Sequence, residues 1–366
     1  MEPILMKSLC GEMITSKEAW EQYRREEILH LLAHYEYGER PVERPDDLAF
    51  QTETVSEDFH GLIYKRITAS FSGYSFPVQA FIPKSDKPVP AFVYVMHEYE
   101  EERSDLEKEP NCTYVPVLDI TSRGYAVFVI YLSTIYPDCD HKANYEAGIF
   151  TVFSPDRAKR KPSDWASISA WAWSASRVMD YIETDPAIDA ANVAVAGHSR
   201  GGKTALWCGA TDPRFSLVIS NCSGCSGAAM LRGKTGEHLD FITTVTDWFC
   251  GNYGKYVDNE DMLPVDQHML LALIAPRLLY VDSKTLDDWA DPRSERRACV
   301  LANEAYALYG KQGVVLPGIE YEEIEPDKAY HEGTIGYHAA SGDHGICPSD
   351  WNHFMNFWEK KREENA

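Results

Sequence analysis

The stretch NVAVAGHSRGGKTAL, residues 192–206, constrains this chain more than any other. A short apolar run, Val193 to Ala196, meets Gly197-His198-Ser199-Arg200-Gly201, and a helix-compatible segment follows. A G-x-S-x-G between a strand and a helix is a nucleophile elbow, a sharp turn that lifts its serine above a sheet. Gly197 and Gly201 suit a turn in which the strand and helix backbones pass close together. A serine hydroxyl is a weak nucleophile, so it must be aimed and paired with a base. The same turn puts the backbone N–H of Arg200 where a tetrahedral oxyanion would form. The rest of the chain therefore has to supply a sheet, a histidine and a carboxylate.

The sheet is legible. Residues 16–36 read as a helix, with Thr15 and Glu18 spaced for a capping box and Glu39-Arg40-Pro41 ending it. Residues 50–83 alternate apolar and polar, as in LIYKRITASF, which predicts two or three antiparallel strands at one edge. From about residue 90 the pattern changes to apolar runs separated by helices. AFVYVM (91–96) and YAVFVIYL (125–132) are nearly continuous, as strands covered on both faces should be. SLVISN (216–221), RLLYVD (277–282) and TIGYHAAS (334–341) extend the series, and 350–361 closes it as a helix. Residues 163–184 predict a helix in which Ile168, Trp171, Ala175, Val178 and Ile182 form one apolar stripe. Trp165 and Trp173 read as core or lid packing. Strand alternating with helix means a mostly parallel sheet with helices on both faces, a three-layer sandwich. With the elbow, this is the α/β-hydrolase fold. Residues 1–48 read as a helical extension packed on the core. Residues 49–366 read as a single domain with an irregular insertion, 228–265, over the mouth of the sheet.

Composition narrows the partners. Lys and Arg total 35 against 57 Asp and Glu, a net charge of −22, which argues against nucleic acid or an anionic membrane surface. No 18-residue apolar run exists, so no membrane span is expected. The start, MEPILMKSLCGEM, lacks a basic n-region followed by an apolar h-region, which gives a cytoplasmic location as the expectation. The nine cysteines are scattered, and Cys222-x-x-Cys225 is their only close pair. Without a second pair or a thioredoxin-like context they read as reduced, partly buried thiols, with no metal and no cofactor.

The elbow serine needs partners in the chain order serine, acid, histidine. Past the elbow stand His238, His268, His331, His338 and His344. The base should lie on the loop after the last strand, and Gly342-Asp343-His344-Gly345 is such a loop. His338 sits within the strand and reads as structural. The acid should follow RLLYVD. Asp287 is the first choice, with Asp288 and Asp282 as alternatives, in the turn DDWADP.

With these residues in place, the runs GHSRGGKTALW, TGEHL, DDWADP and GYHxxxGxHxxxxxDW together resemble the glucuronoyl esterases. These are carbohydrate esterases of family 15, which act on esters of glucuronic acid. The resemblance spans about residues 90–360. Its most specific part is Ser199-Arg200 with Lys203. It implies that Arg200 helps stabilise the oxyanion, and that Lys203, Glu237 and Trp289 contact the uronate ring. Two places depart from the family. Many members carry a catalytic glutamate after the strand that follows the elbow, where this chain has Asn221-Cys222-Ser223-Gly224. The loop after AFVYVM often holds Asn and Gly, and here reads His97-Glu98-Tyr99-Glu100-Glu101-Glu102. The expected activity is a serine carboxylesterase acting on a small carbohydrate ester, by Ser199, His344 and Asp287. The alternatives are an acetyl-sugar or general esterase with the same machinery, and a binding protein on this fold that has lost catalysis.

Overall fold

Ten strands form one sheet in the computed structural model, which describes residues 3–97, 105–137, 144–154, 156–233, 235–244, 246–318 and 324–364. The strands are β1 (Ala49–Phe59), β2 (Leu62–Phe71), β3 (Tyr74–Pro83), β4 (Val89–Met96) and β5 (Ala126–Tyr131), then β6 (Ile188–His198), β7 (Leu217–Asn221), β8 (Leu278–Lys284), β9 (Ala329–Tyr330) and β10 (Ile335–Ala340). Their order is β1-β2-β3-β5-β4-β6-β7-β8-β10-β9. The run from β5 to β10 is parallel. The strands β1, β2 and β3 pair antiparallel at one edge, and the short β9, which the sequence did not suggest, pairs antiparallel at the other. After β4 the chain adds β5 on one side and β6 on the other. The order reverses there, and in open α/β sheets ligands bind beyond the carboxyl ends of strands at such a point.

Both faces of the sheet are covered, and β4 shows why its sequence is almost continuously apolar. Ala91, Val93 and Val95 point into one apolar layer, while Phe92, Tyr94 and Met96 point into the other. The first layer holds a helical run over 17–37 (α1), Ser167–Ile182 (α2), Arg200–Thr211 (α3) and Pro292–Ala307 (α4). The second is closed by Pro348–Glu364 (α5), whose Trp351, Phe354 and Trp358 are buried.

Two local expectations are corrected. The α1 N-cap is Ser16, whose Oγ accepts the Ala19 N–H at 3.2 Å, rather than Thr15. The second concerns α2. One apolar stripe was expected, yet every residue of the helix is buried. The sheet covers one side and the N-terminal segment covers the other: Trp173 Nε1 donates to Val42 O at 2.8 Å, and Arg177 bonds to Glu43 O and Asp180. Trp165 and Trp173 meet edge to face inside this core. Residues 3–48 also reach the centre of the molecule. Tyr37 stacks on Trp207 of α3 at 4.3 Å, and its hydroxyl donates to Ser226 O at 2.8 Å. Among its described residues, the segment 228–265 carries a short helix, Leu239–Thr244, and 3-10 turns at Tyr253–Tyr256 and Glu260–Met262.

Strand register places His198, Asn221, Asp282 and His338 side by side on β6, β7, β8 and β10. All four are buried. Lys284 Nζ donates to both oxygens of Asp350 at 2.7 Å, and His338 Nε2 lies 3.2 Å from Asp350 Oδ1. Removing one partner of a buried ion pair leaves an uncompensated charge. Asp350→Ala should therefore lose about 3 kcal/mol or more of stability. Urea unfolding of this variant beside Lys360→Ala, whose side chain is half exposed, checks it; equal midpoints would refute it.

Candidate active site

The chain leaves β6 at His198 and enters α3 at Arg200. Ser199 between them has φ 55° and ψ −123°, a conformation that L-residues rarely adopt. Its N–H donates to Asn221 O at 2.8 Å and its carbonyl accepts the Lys203 N–H at 3.1 Å, so both neighbouring elements hold the strained turn. A Cβ at Gly197 would lie 2.1 Å from Gly201 O, which explains the first glycine. The Arg200 N–H opens the helix beside Ser199. A helix N-terminus carries partial positive charge, as developing negative charge on an oxyanion requires.

The base and acid candidates meet directly. His344 Nδ1 lies 2.6 Å from Asp287 Oδ2. Asp287 is buried, while His344 is exposed to the cleft. Burial pushes the Asp287 carboxyl up, but the hydrogen bond and charge of His344, with the Ala290 N–H at 3.1 Å, outweigh it and hold the group below its usual range. An ionised Asp287 keeps the His344 proton on Nδ1 and leaves Nε2 able to accept one.

The alternatives fall elsewhere. Asp288 is exposed. Asp282 and His338 belong to the buried row, where His338 Nε2 is 3.1 Å from Asp282 Oδ1 and its Nδ1 is 3.0 Å from Tyr280 Oη. Burial pushes His338 down to about 4.

A cleft of about 450 Å³ is lined by Ser199, Arg200, Lys203, Glu237, Trp289 and His344, so it gathers all the sequence-derived candidates except the buried Asp287. Trp289 is 53% exposed and meets Phe241 edge to face at 5.8 Å, forming an aromatic rim. The insertion is joined to the acid turn. Glu237 N–H donates to Trp289 O at 2.9 Å, and a Cβ at Gly236 would lie 2.3 Å from Asp288 O. A larger cleft, about 780 Å³, lies at the amino ends of the strands beside Arg277 and Lys311, away from these residues.

Lys203, expected to read ligand hydroxyls, lines the cleft and is also bonded to the protein. Its ammonium donates to Ser223 O at 2.7 Å, Cys225 O at 2.6 Å and Glu237 Oε2 at 3.0 Å. An ammonium has three N–H donors, and these contacts engage all of them. Lys203 is thus built into the wall of the cleft, holding the loop after β7 and the Glu237 carboxylate.

Sequence reasoning missed several groups around the site. Trp248, from the insertion, lies under both cations, 4.7 Å from the Arg200 guanidinium and 5.8 Å from Lys203 Nζ. Glu295, buried on α4, accepts the Gly224 N–H at 2.9 Å and the Ser283 hydroxyl at 2.7 Å; burial pushes it up to about 7. Its acidic neighbour Asp291 caps α4, and nothing in the local pattern separates their roles. The His198 ring lies 4.6 Å from that of His344, tilted by 42°, and burial first, then the charge of His344, pushes it down to about 3. His97 stands behind it and is held well below its ordinary range by burial and the neighbouring His198. The remainder of the loop expected to border the oxyanion, Glu98 to Glu102, lies outside the described residues.

A family model described as glucuronyl esterase, fungi, matches residues 127–310. A carbohydrate esterase of an unknown prokaryotic organism is 34% identical, over 97% of this chain and 88% of that protein. This chain belongs to the glucuronoyl esterase family. A glucuronoyl esterase from Solibacter usitatus has a structure that superposes with a TM-score of 0.88 at 30% identity, covering 98% of this chain and 97% of that one. A 4-O-methyl-glucuronoyl methylesterase 1 of Wolfiporia cocos is 29% identical, over 82% of this chain and 70% of that protein. The family is one of carboxylic ester hydrolases on the α/β-hydrolase fold, and the elbow and sheet described above are that fold.

Two measurements probe this geometry. Asp287→Asn should keep the shape but favour the wrong imidazole tautomer, lowering kcat by roughly 10²–10⁴-fold, whereas Asp288→Asn should change it little. Steady-state rates on a nitrophenyl ester decide which carboxylate matters. The second concerns pH. His198 is an ordinary histidine at 6.5 when unfolded and is held at about 3 when folded. Between those values only the unfolded chain takes up this proton, so stability is full above pH 6.5 and falls as pH drops toward 3. Urea midpoints at pH 7 and 4.5 should show a decline that is shallower in His198→Asn.

Proposed function

We propose that this chain hydrolyses esters of glucuronic acid through an acyl-enzyme on Ser199. His344 Nε2 takes the Ser199 proton as the hydroxyl attacks the ester carbonyl. Asp287 fixes the tautomer and balances the imidazolium. The carbonyl oxygen gains charge beside the Arg200 N–H and guanidinium, and these interactions strengthen as the tetrahedral species forms. His344 then gives its proton to the leaving alcohol, and water repeats the sequence on the acyl-enzyme.

The observation that carries this reading is the 2.6 Å contact of His344 with Asp287, with Ser199, Arg200, Glu237 and Trp289 around one cleft. The substrate class rests on the second group. The Glu237 carboxylate, fixed by Lys203, is an acceptor for sugar hydroxyls, and the exposed Trp289 face suits a pyranose ring. The name of the Solibacter usitatus relative points the same way. Lys203 supports the ring indirectly, by holding Glu237 and the loop after β7.

Three variants test it on methyl glucuronate and nitrophenyl acetate. Ser199→Ala should lower kcat by roughly 10⁴-fold or more on both. Arg200→Ala should lower kcat by roughly 10²–10³-fold on both, as loss of an oxyanion donor does. Trp289→Ala removes an exposed side chain, so the fold should persist; KM should rise for methyl glucuronate alone. An equal effect of Trp289→Ala on the two esters, or faster turnover of an acetylated xylose than of methyl glucuronate, would move the assignment to an acetyl-sugar or general esterase.

A further inference from the structure

Acyl transfer leaves one group in the cleft without a task, the thiol of Cys222. Its Sγ, a carboxylate oxygen of Asp287 and a ring nitrogen of His344 all lie within 4.8 Å of one another. We propose that these three side chains form a binding site for a thiophilic divalent cation, Zn²⁺ or Cd²⁺, and that filling it switches the enzyme off.

The donor set selects the class of ion. Thiolate, imidazole and carboxylate together suit zinc and its heavier relatives, whereas magnesium and calcium prefer oxygen alone. Three protein ligands also leave a fourth position for water on the cleft side. The three residues come from different loops, after β7, β8 and β10, and two of them are held in place. Cys222 has φ 46° and its N–H donates to Asp282 O at 2.8 Å. Asp287 accepts the Ala290 N–H. His344 is the exposed member, and rotation of its ring adjusts the ligand spacing as an ion enters from the cleft. The contact that the thiol gives up is a long one, 3.7 Å from Sγ to Gly345 O.

Binding and inhibition follow from proton accounting, with no change of oxidation state. The Cys222 S–H bond breaks, sulfur keeps the electron pair and forms the metal bond, and one proton passes to solvent. The histidine nitrogen facing Asp287 is Nδ1. A metal ion on Nδ1 leaves the neutral ring protonated at Nε2, which then has no lone pair for the serine proton. A metal ion on Nε2 blocks the same lone pair directly. In either case the base is lost, while Ser199 and the cleft are untouched.

The test is a titration of the purified enzyme with Cd²⁺ and with Zn²⁺. It reads the ultraviolet thiolate–cadmium charge-transfer band and, separately, the hydrolysis of nitrophenyl acetate. Each variant's inhibition is expressed relative to its own metal-free rate. The wild type should show a one-equivalent component of the band and parallel inhibition that EDTA reverses. Cys222→Ser should lack that component, and its inhibition constant should weaken by roughly tenfold or more, the scale on which even outer partners of a metal ligand alter affinity. Ser199→Ala should retain the band, which separates ion binding from activity. His344→Ala should weaken it. Cys10 and Cys347, the less buried of the described thiols, contribute equally to wild type and Cys222→Ser and cancel in the difference. An unchanged inhibition constant in Cys222→Ser, or no Cys222-dependent band, overturns the proposal. Neither readout involves a uronate, so failure here leaves the substrate assignment standing, and the reverse holds.

Discussion

A row of buried polar side chains at the carboxyl edge of the sheet sets the position of everything above it. Asn221 Nδ2 donates to Asp282 Oδ2, so its Oδ1 accepts from His198 Nδ1. Asp282 in turn faces His338, and His338 faces Asp350, which holds Lys284. Buried polar groups are costly unless partnered. The row is partnered in one strand register only, because a slip of one residue would turn its members to the opposite face of the sheet. Each strand in it leads into a segment of the cleft: β6 into Ser199, β7 into Cys222, β8 into Asp287 and β10 into His344. Fixing the row fixes the four points from which those segments start.

Above this row, the loop after β7 is held from two sides, by an ammonium donor and a carboxyl acceptor. Lys203 takes the carbonyls of Ser223 and Cys225, and Glu295 takes the Gly224 N–H between them. Tyr37, from the N-terminal segment, adds a third anchor at Ser226 O. The wall of the cleft therefore depends on α1, α3 and α4 together. This accounts for a lysine whose charge is spent on the protein. Its position one helical turn after the nucleophile places it against the loop as well as against the cleft.

Much of this was legible in the sequence, and the limits have physical causes. The elbow carries its own constraint, since two glycines around a serine between an apolar run and a helix have few other uses. Chain order then led to Asp287 and His344, because loop order on a parallel sheet follows strand order. The antiparallel strands at the first edge followed from period-two alternation. What the sequence hid were contacts between distant segments. Residue Lys203 was readable as near the site, but which acceptors it meets depends on the loop after β7. Trp248 sits in an insertion without periodicity, and its place under Arg200 is a tertiary fact. The helix α2 reads as having a stripe because Ser, Arg and Asp interrupt its apolar residues; those polar side chains are buried too, Ser167, Ser174 and Ser176 on backbone carbonyls, Ser169 under the Trp207 indole and Asp180 between the guanidiniums of Arg177 and Arg214. The cap of α1 was displaced by one residue because Thr15 and Ser16 are both good caps, and only backbone conformation chooses between them.

The departure at Cys222 has an electrostatic logic. A histidine acting as base has one proton on Nδ1, and one carboxylate is enough to orient it. Asp287 is already there, buried and ionised, at 2.6 Å. A second carboxylate within a few ångströms would face Asp287 in a site of low dielectric, where like charges raise one another's pKa. One of the two would hold a proton, and the ring would have two acceptors competing for its orientation. A thiol avoids this. Burial, then the nearby Asp282, Glu295 and Asp287 carboxylates, push Cys222 well above its ordinary range, so it stays neutral and fills the space without competing for the imidazole proton. The same neutrality ends when a soft cation arrives, because the metal replaces the proton that burial protects. The residue that leaves Asp287, among the described residues, as the carboxylate on His344 is also the one that would supply the sulfur ligand of the proposed ion site.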